Sequence, residues 1–208
     1  SLKNFLGQRP SNMATIDRRV LLPKLIPNPD QYLMIAGLAG ASKDAAGFTK
    51  DGANLFTMAG TMGASVSMGL GVALSEPKKP VISITGDGEL IMGIGSLLTV
   101  ASMSPDNFSI ICIDNGMHAE TGGQLGHTSR GTDLAIMAKG AGIESVMTIE
   151  APEHIKNGTK FIIESPGPRF LWARVNDGPP TPFKRDFNLS VRRQIFRAAY
   201  AAQNKVND

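Results

Sequence analysis

Asp87 and Asn115 are the side chains whose type and placement point most directly to chemistry. Asp87 sits in Gly86-Asp87-Gly88, directly after the apolar run Pro80 to Thr85, and Asn115 sits in Asp114-Asn115-Gly116, directly after the apolar run Phe108 to Ile113. An Asp-Gly pair alone is a common turn. At the ends of two strands the same residues have a second use. The Asp87 carboxylate and the Asn115 amide oxygen are hard ligands of the kind Mg²⁺ takes, in an octahedral shell that commonly keeps phosphate oxygens as well. Gly88 and Glu89 open a helical pattern, so their backbone N–H groups and the helix macrodipole favour a phosphate at the same place.

The elements that must position these residues alternate along the chain. Thr15 to Leu25 has helical spacing and is ended by Pro27 and Pro29, and Gln31 to Ala36 reads as a strand followed by a Gly-rich turn, Gly37 to Ser42. Leu55 to Met58 is a second strand. Gly63 to Leu74 reads as a small-residue helix whose Gly69 and Gly71 allow close approach to a neighbour. Then come strand Pro80 to Thr85, helix Glu89 to Met103, strand Phe108 to Ile113, helix Asp133 to Ala141, strand Ser145 to Ile149, helix Pro152 to Lys160 and strand Arg169 to Val175. Asp177 to Pro182 sets off a last helix from Leu189 to about Ala202. This alternation predicts an α/β fold with a mainly parallel central sheet and helices on both faces, which binds its ligand at the carboxyl ends of the strands. Both clusters, 86–88 and 114–115, lie at such ends.

Composition narrows the function classes. With 208 residues, 42% of them apolar, the chain suits one hydrophobic core, and residues 13–208 are expected to form a single domain. Residues 1–12 are polar and aperiodic and read as a flexible N-terminal extension. The basic residues Lys184, Arg185, Arg192, Arg193 and Arg197 read as a solvated helix face, and aromatic residues at 6% offer no stacking platform, so nucleic-acid binding is not expected. The one cysteine, Cys112, lies inside an apolar run and reads as a small buried hydrophobe; it cannot form an internal disulfide or hold an iron–sulfur cluster alone. No run approaches the length of a membrane span, and a cytoplasmic setting is the expectation.

Gly86-Asp87-Gly88, then 25 residues, then Asp114-Asn115 resembles the thiamine-diphosphate motif, in which Gly-Asp-Gly is followed by Asn-Asn. The resemblance implies metal ligands at Asp87, Asn115 and the backbone carbonyl of Met117. Asp114 replaces the first Asn of the motif, but the second position is the ligand. Upstream, Gly60-Thr61-Met62-Gly63-Ala64 is similar to the family segment that holds the aminopyrimidine ring, with Gly60 supplying a backbone carbonyl and Met62 wedging the cofactor into a bent form. That bend brings an imino group against the thiazolium C2 proton, where intramolecular geometry accelerates its removal. Over roughly Thr15 to Asn176 the chain resembles the β-type subunits of sulfopyruvate and phosphonopyruvate decarboxylases, on the strength of Gly86 to Gly95, Asp114 to His118, Glu120 to Gln124 and His127-Thr128. The implied fold is the three-layer α/β/α thiamine-diphosphate-binding fold, with Gly60, Met62, Gly86, Asp87, Gly88, Glu89, Asn115, Met117 and His118 around the cofactor.

In that family the glutamate that activates the pyrimidine ring belongs to a separate pyrimidine-binding domain. The resemblance therefore implies an α-type partner subunit, a hetero-oligomer, and decarboxylation of an anionic 2-oxo acid with thiamine diphosphate and Mg²⁺. His118 and Glu120 follow the metal loop and are the local candidates for proton transfer, histidine being suited to it near neutral pH. Related pyruvate decarboxylases place a glutamate six residues after the metal Asn, a position held here by Thr121. His127 and Arg130, on a Gly-rich loop from Gly122 to Gly131, are candidates for meeting the substrate headgroup from a mobile lid, and Ser42 for a diphosphate contact. Acetolactate synthase, the β subunit of a 2-oxo acid:ferredoxin oxidoreductase and a non-catalytic cofactor-binding subunit remain alternatives.

Overall fold

The computed structural model describes residues 14–204, and the side chains of 201–204 are outside the description, as is the N-terminal extension expected at 1–12. Six strands form one parallel sheet: β1 (Leu33–Ala36), β2 (Leu55–Thr57), β3 (Val81–Gly86), β4 (Phe108–Asp114), β7 (Ser145–Ile149) and β8 (Arg169–Arg174), in the order β2-β1-β3-β4-β8-β7. A short antiparallel hairpin, β5 (Met117–His118) with β6 (Gln124–Leu125), follows β4. Parallel strands covered on both faces carry unbroken apolar runs rather than alternation. β1 and β4 are buried at every position.

Alternate side chains of those strands feed two layers. Met34, Ile111, Ile113, Leu171 and Ala173 face α1 (Arg18–Leu25), α2 (Ala39–Thr49) and α7 (Ile155–Glu164). Phe108, Ile110, Cys112, Phe170 and Trp172 face the opposite layer, α3 (Ser65–Ser75), α4 (Asp87–Met92), α5 (Ser96–Met103) and α6 (Leu134–Gly140). The result is the three-layer α/β/α arrangement expected, with every strand pair of the main sheet parallel. No helix among the described residues is long and apolar enough to cross a membrane.

Several elements differ from the sequence reading, each for a local reason. The Gly-rich turn at 37–42 is mostly helix, since α2 begins at Ala39 and buries Ala41, Ala45 and Ala46. Small side chains hide a helix from pattern reading. The single helix expected from Glu89 to Met103 is two, broken at Gly93–Gly95, because Gly93 presses so closely on the Gly63 carbonyl that a Cβ would collide with it. Of the two glycines singled out on α3, Gly69 does pack closely: a Cβ there would lie 2.9 Å from Phe108 Cε2 and 3.1 Å from Ser83 Cβ. Gly71 faces open space.

The C-terminal segment is also more integrated than expected. Residues 177–188 pack back on α2 and the turn after it, where Thr181 N–H donates to Asp44 Oδ1 at 2.7 Å and Asp186 N–H to Asp51 Oδ2 at 3.1 Å. The last helix, α8 (Leu189–Asn204), covers the β2 edge, with Phe196 packed on Phe56 at 6.1 Å between ring centroids. Arg192 Nη2 donates to the Gly52 and Leu55 carbonyls at 2.9 Å each. The basic cluster is therefore not a uniform solvated face. Lys184, Arg193 and Arg197 are exposed, whereas Arg185 and Arg192 are buried.

Candidate cofactor site

The strand order reverses direction between β1 and β3, with β2 lying on one side and β4 on the other. In an open α/β sheet the crevice outside such a switch point is where ligands bind. The β1–α2 turn supplies one wall and the β3–α4 turn the other. Glu89 joins them, its Oε2 accepting from Leu38 N–H at 3.0 Å across 51 residues of sequence. A cleft of about 310 Å³ opens there, lined by Gly86 to Glu89, by Asn115, Met117 and His118, by Met62, and by Leu38, Gly40 and Lys43 of the facing turn.

Asp87 forms the floor. It is 4% exposed, and its Oδ2 has no hydrogen-bond partner among the described residues. Burial, reinforced by the negative charge of Asp114, pushes its carboxyl up to about 7. Backbone N–H groups of Gly88 and Asp87 offset part of the cost of burying this carboxylate, and a cation beside Oδ2 would offset the rest. Gly126 backs onto the same oxygen, since a Cβ there would lie 3.0 Å from Asp87 Oδ2. The donor set of one carboxylate, one amide and one carbonyl fits Mg²⁺, which keeps few protein ligands and completes its shell with phosphate and water. Among the described residues no group of three His, Cys, Asp or Glu side chains gathers to hold a metal without such help.

The loop after β4 is fixed by Asp114, the residue that departs from the motif. Its Oδ1 accepts from Gly116 N–H at 2.7 Å and from Thr128 Oγ1 at 2.9 Å, and its Oδ2 accepts from Trp172 Nε1 at 2.8 Å. Three donors converge on one buried carboxylate. The turn they stabilise runs through Gly116 at φ +69°, where a side chain would be strained and would also strike Ser129 Oγ. Asn115 Oδ1 accepts from Met117 N–H at 3.3 Å, which folds the loop so that Asn115 and Met117 both line the cleft.

The loop from Gly122 to Gly131, read as a mobile lid, is anchored along its length. Gly126 N–H donates to the Gly116 carbonyl at 2.7 Å, Ser129 Oγ donates to the same carbonyl at 2.8 Å, and Thr128 is buried against Asp114. Of the loop's glycines, Gly126 serves close packing, whereas Gly122, Gly123 and Gly131 serve turns at positive φ. His118 lies over Gly88, where a Cβ would stand 2.9 Å from the ring Cε1. His127 stands edge-on to His118 with centroids 6.4 Å apart, but neither His127 nor Arg130 lines the cleft.

Glu120 lines the cleft and is ion-paired with Lys43 Nζ at 2.9 Å. Met62 lines it too and is 38% exposed, whereas Gly60 lies outside it on an exposed turn. Ser42 lies inside α2 and does not line it. Sequence reasoning missed Leu38, Arg18 and Lys43 on the facing wall, because residues far apart in sequence, such as Leu38 and Glu89, 51 positions apart, meet there only through the fold.

The model of the thiamine pyrophosphate enzyme C-terminal TPP binding domain matches residues 39–173. The chain belongs to that family. As a TPP-binding domain it carries every sequence-predicted site residue inside the matched range, while Arg18 and the C-terminal segment lie outside it. Its relatives include sulfopyruvate decarboxylase subunit beta of Methanocaldococcus jannaschii, 36% identical over 136 residues that cover 65% of this chain and 72% of that protein. Phosphonopyruvate decarboxylase of Streptomyces viridochromogenes is 31% identical over 171 residues, 82% of this chain but 41% of that longer protein. 2-Oxoglutarate synthase subunit KorB of Methanocaldococcus jannaschii is 27% identical over 121 residues, 58% of this chain and 43% of that protein.

Proposed function

We propose that the chain is the cofactor-binding subunit of a thiamine-diphosphate- and Mg²⁺-dependent decarboxylase of an anionic 2-oxo acid, acting with a partner that supplies the pyrimidine-binding domain. The observation that carries this reading is the buried, unpartnered Oδ2 of Asp87 at the head of α4, a residue that lines the same cleft as Asn115 and Met117. The names of the relatives, sulfopyruvate decarboxylase subunit beta among them, support the reaction class and the need for a second subunit.

Asp87, Asn115 and the Met117 carbonyl hold Mg²⁺ in this reading, and the N–H groups of Gly88 and Glu89 meet the diphosphate. Thiamine diphosphate, when bound, supplies a thiazolium that acts as the electron sink when the carboxylate leaves as CO₂. Met62, at the cleft rim and backed by Gly63, presses the cofactor toward its bent form. Gly60, exposed beside it, presents its carbonyl to the ring on the side where the partner docks. His118 holds a proton at an imidazole nitrogen for transfer to the substrate carbon, and Glu120 takes the same role only if it leaves Lys43. The single buried cysteine suits a reducing cytoplasm.

The test is CO₂ release from sulfopyruvate and phosphonopyruvate by the chain mixed with the polypeptide encoded beside it. Release is expected only when both proteins, thiamine diphosphate and Mg²⁺ are present. Tight cofactor binding with no CO₂ from either acid in the mixture would make the chain a non-catalytic binding subunit instead. The likeness to 2-oxoglutarate synthase subunit KorB favours one other reading, transfer of electrons to an iron–sulfur acceptor. Cys112, the only cysteine, is fully buried in β4, and burial followed by the charges of Asp114, Asp87 and Glu89 pushes its thiol well up, so it offers no thiolate for a cluster. Viologen reduction with coenzyme A in the same mixture would support that second reading.

A further inference from the structure

Arg18 is the first residue of α1 and lines the cleft on the wall opposite Asp87's loop, yet it belongs to neither half of the motif. It is 5% exposed. Asp44 accepts from its Nε at 2.7 Å, an ion pair buried on both sides. Asp44 is itself fixed, because its Oδ1 takes Thr181 N–H at 2.7 Å. Among the described residues neither Nη1 nor Nη2 of Arg18 has a hydrogen-bond partner. Gly40 makes the space for the guanidinium, since a Cβ there would collide with Nη2 and stand 2.7 Å from Cζ.

A guanidinium clamped at Nε and open at both terminal nitrogens presents its fork to whatever fills the cleft. The ligand that satisfies two parallel donors best is a tetrahedral or planar oxyanion bound bidentately. Lys43 places a second cation on the same wall, at present engaged by Glu120. We propose that Arg18 is the anion-recognising residue of the cleft, its Nη1/Nη2 fork binding a strong-acid oxyanion of the phosphate, phosphonate or sulfonate type. Two sources carry that chemistry: the terminal phosphate of the cofactor and the headgroup of the substrate. The inference rests on the proposed function for those two sources, and the binding of a free oxyanion to Arg18 stands apart from it.

The experiment titrates phosphonoacetate and inorganic phosphate into the full chain, then repeats the titration with thiamine diphosphate and Mg²⁺ present, comparing the native protein with Arg18→Lys and Arg18→Gln. Lysine keeps the charge beside Asp44 and loses the fork. Weakening of phosphonoacetate binding by about tenfold or more in both variants, with thiamine diphosphate affinity unchanged, assigns the fork to the substrate headgroup. A comparable loss in thiamine diphosphate affinity assigns it to the cofactor. Guanidinium ¹⁵N spectra of the native protein give a readout that survives a failure of the variants to fold: the Arg18 Nη resonances are expected to shift on adding phosphonoacetate. Unchanged anion and cofactor affinities in folded variants, or an Arg18 signal indifferent to every anion, would overturn the proposal and leave Arg18 as a partner of Asp44 alone. A chain that binds phosphonoacetate through Arg18 and fails to bind thiamine diphosphate would instead overturn the proposed function.

Discussion

Removing the charge at Asp87 separates two effects that the folded chain holds together. Its carboxyl rises from the ordinary value of 3.8 to about 7 on folding, first through burial and second through the charge of Asp114. A folded value above the unfolded one means that its stabilising contribution is full below about 4 and is lost as pH rises through about 7. The cofactor-free protein is expected to melt at progressively lower temperature from about pH 4 to about pH 7, and Asp87→Asn is expected to flatten that slope in calorimetric scans. Mg²⁺ takes the ionised form, so the gain in melting temperature from Mg²⁺ and thiamine diphosphate should grow over the same window. Asp87 was legible in the sequence because a strand end, a helix start and a second strand end with an amide fall into register. Asp114 was legible only as a departure from a motif, since its donors come from Gly116, Thr128 and Trp172 and spacing says nothing of a meeting between β4 and β8.

The strands that carry these residues were readable as apolar runs, and their two-sided burial explains why the runs do not alternate. Helices were less readable where packing is tight. α2 is built of Ala, Gly and Ser against the sheet, and the break between α4 and α5 follows from contact with Gly63, a residue 30 positions earlier than Gly93. The link between β4 and β8 beneath the metal loop gives a prediction at this scale. Trp172→Phe keeps the ring in the core and leaves one oxygen of Asp114 without its donor. The expected loss is ~1–3 kcal/mol in urea unfolding, the cost of an unmade buried bond. A weaker hold of Mg²⁺ should accompany it, by ~10-fold or more, as for other residues that orient metal ligands.

At the scale of the molecule, sheet order decides function more than any single element does. The reversal between β1 and β3 brings the β1–α2 turn against the β3–α4 turn, and the cleft, its opposed charges and Arg18 all follow from it. The sequence placed one wall of the cleft, at the strand ends carrying Asp87 and Asn115, but not the facing wall with Arg18 and Lys43, because strand order is set by long-range packing. The C-terminal segment belongs to the same whole: it runs from β8 past the cleft, where Pro180 lines the wall, and ends as α8 on the β2 edge. Arg192 holds that end, and Arg192→Ala leaves the Gly52 and Leu55 carbonyls without their donor. A loss of about 2 kcal/mol and early release of the tail in limited proteolysis are expected.

The central claim is that Asp87 and the β4–β5 loop form a Mg²⁺-diphosphate site on this chain, and calorimetric titration of thiamine diphosphate with and without Mg²⁺ tests it most directly. The native protein is expected to bind ~100-fold more tightly with Mg²⁺, about 3 kcal/mol, and Asp87→Asn to lose that difference while staying folded. Equal affinity with and without Mg²⁺, or an Asp87→Asn protein that responds to Mg²⁺ as the native one does, would contradict it.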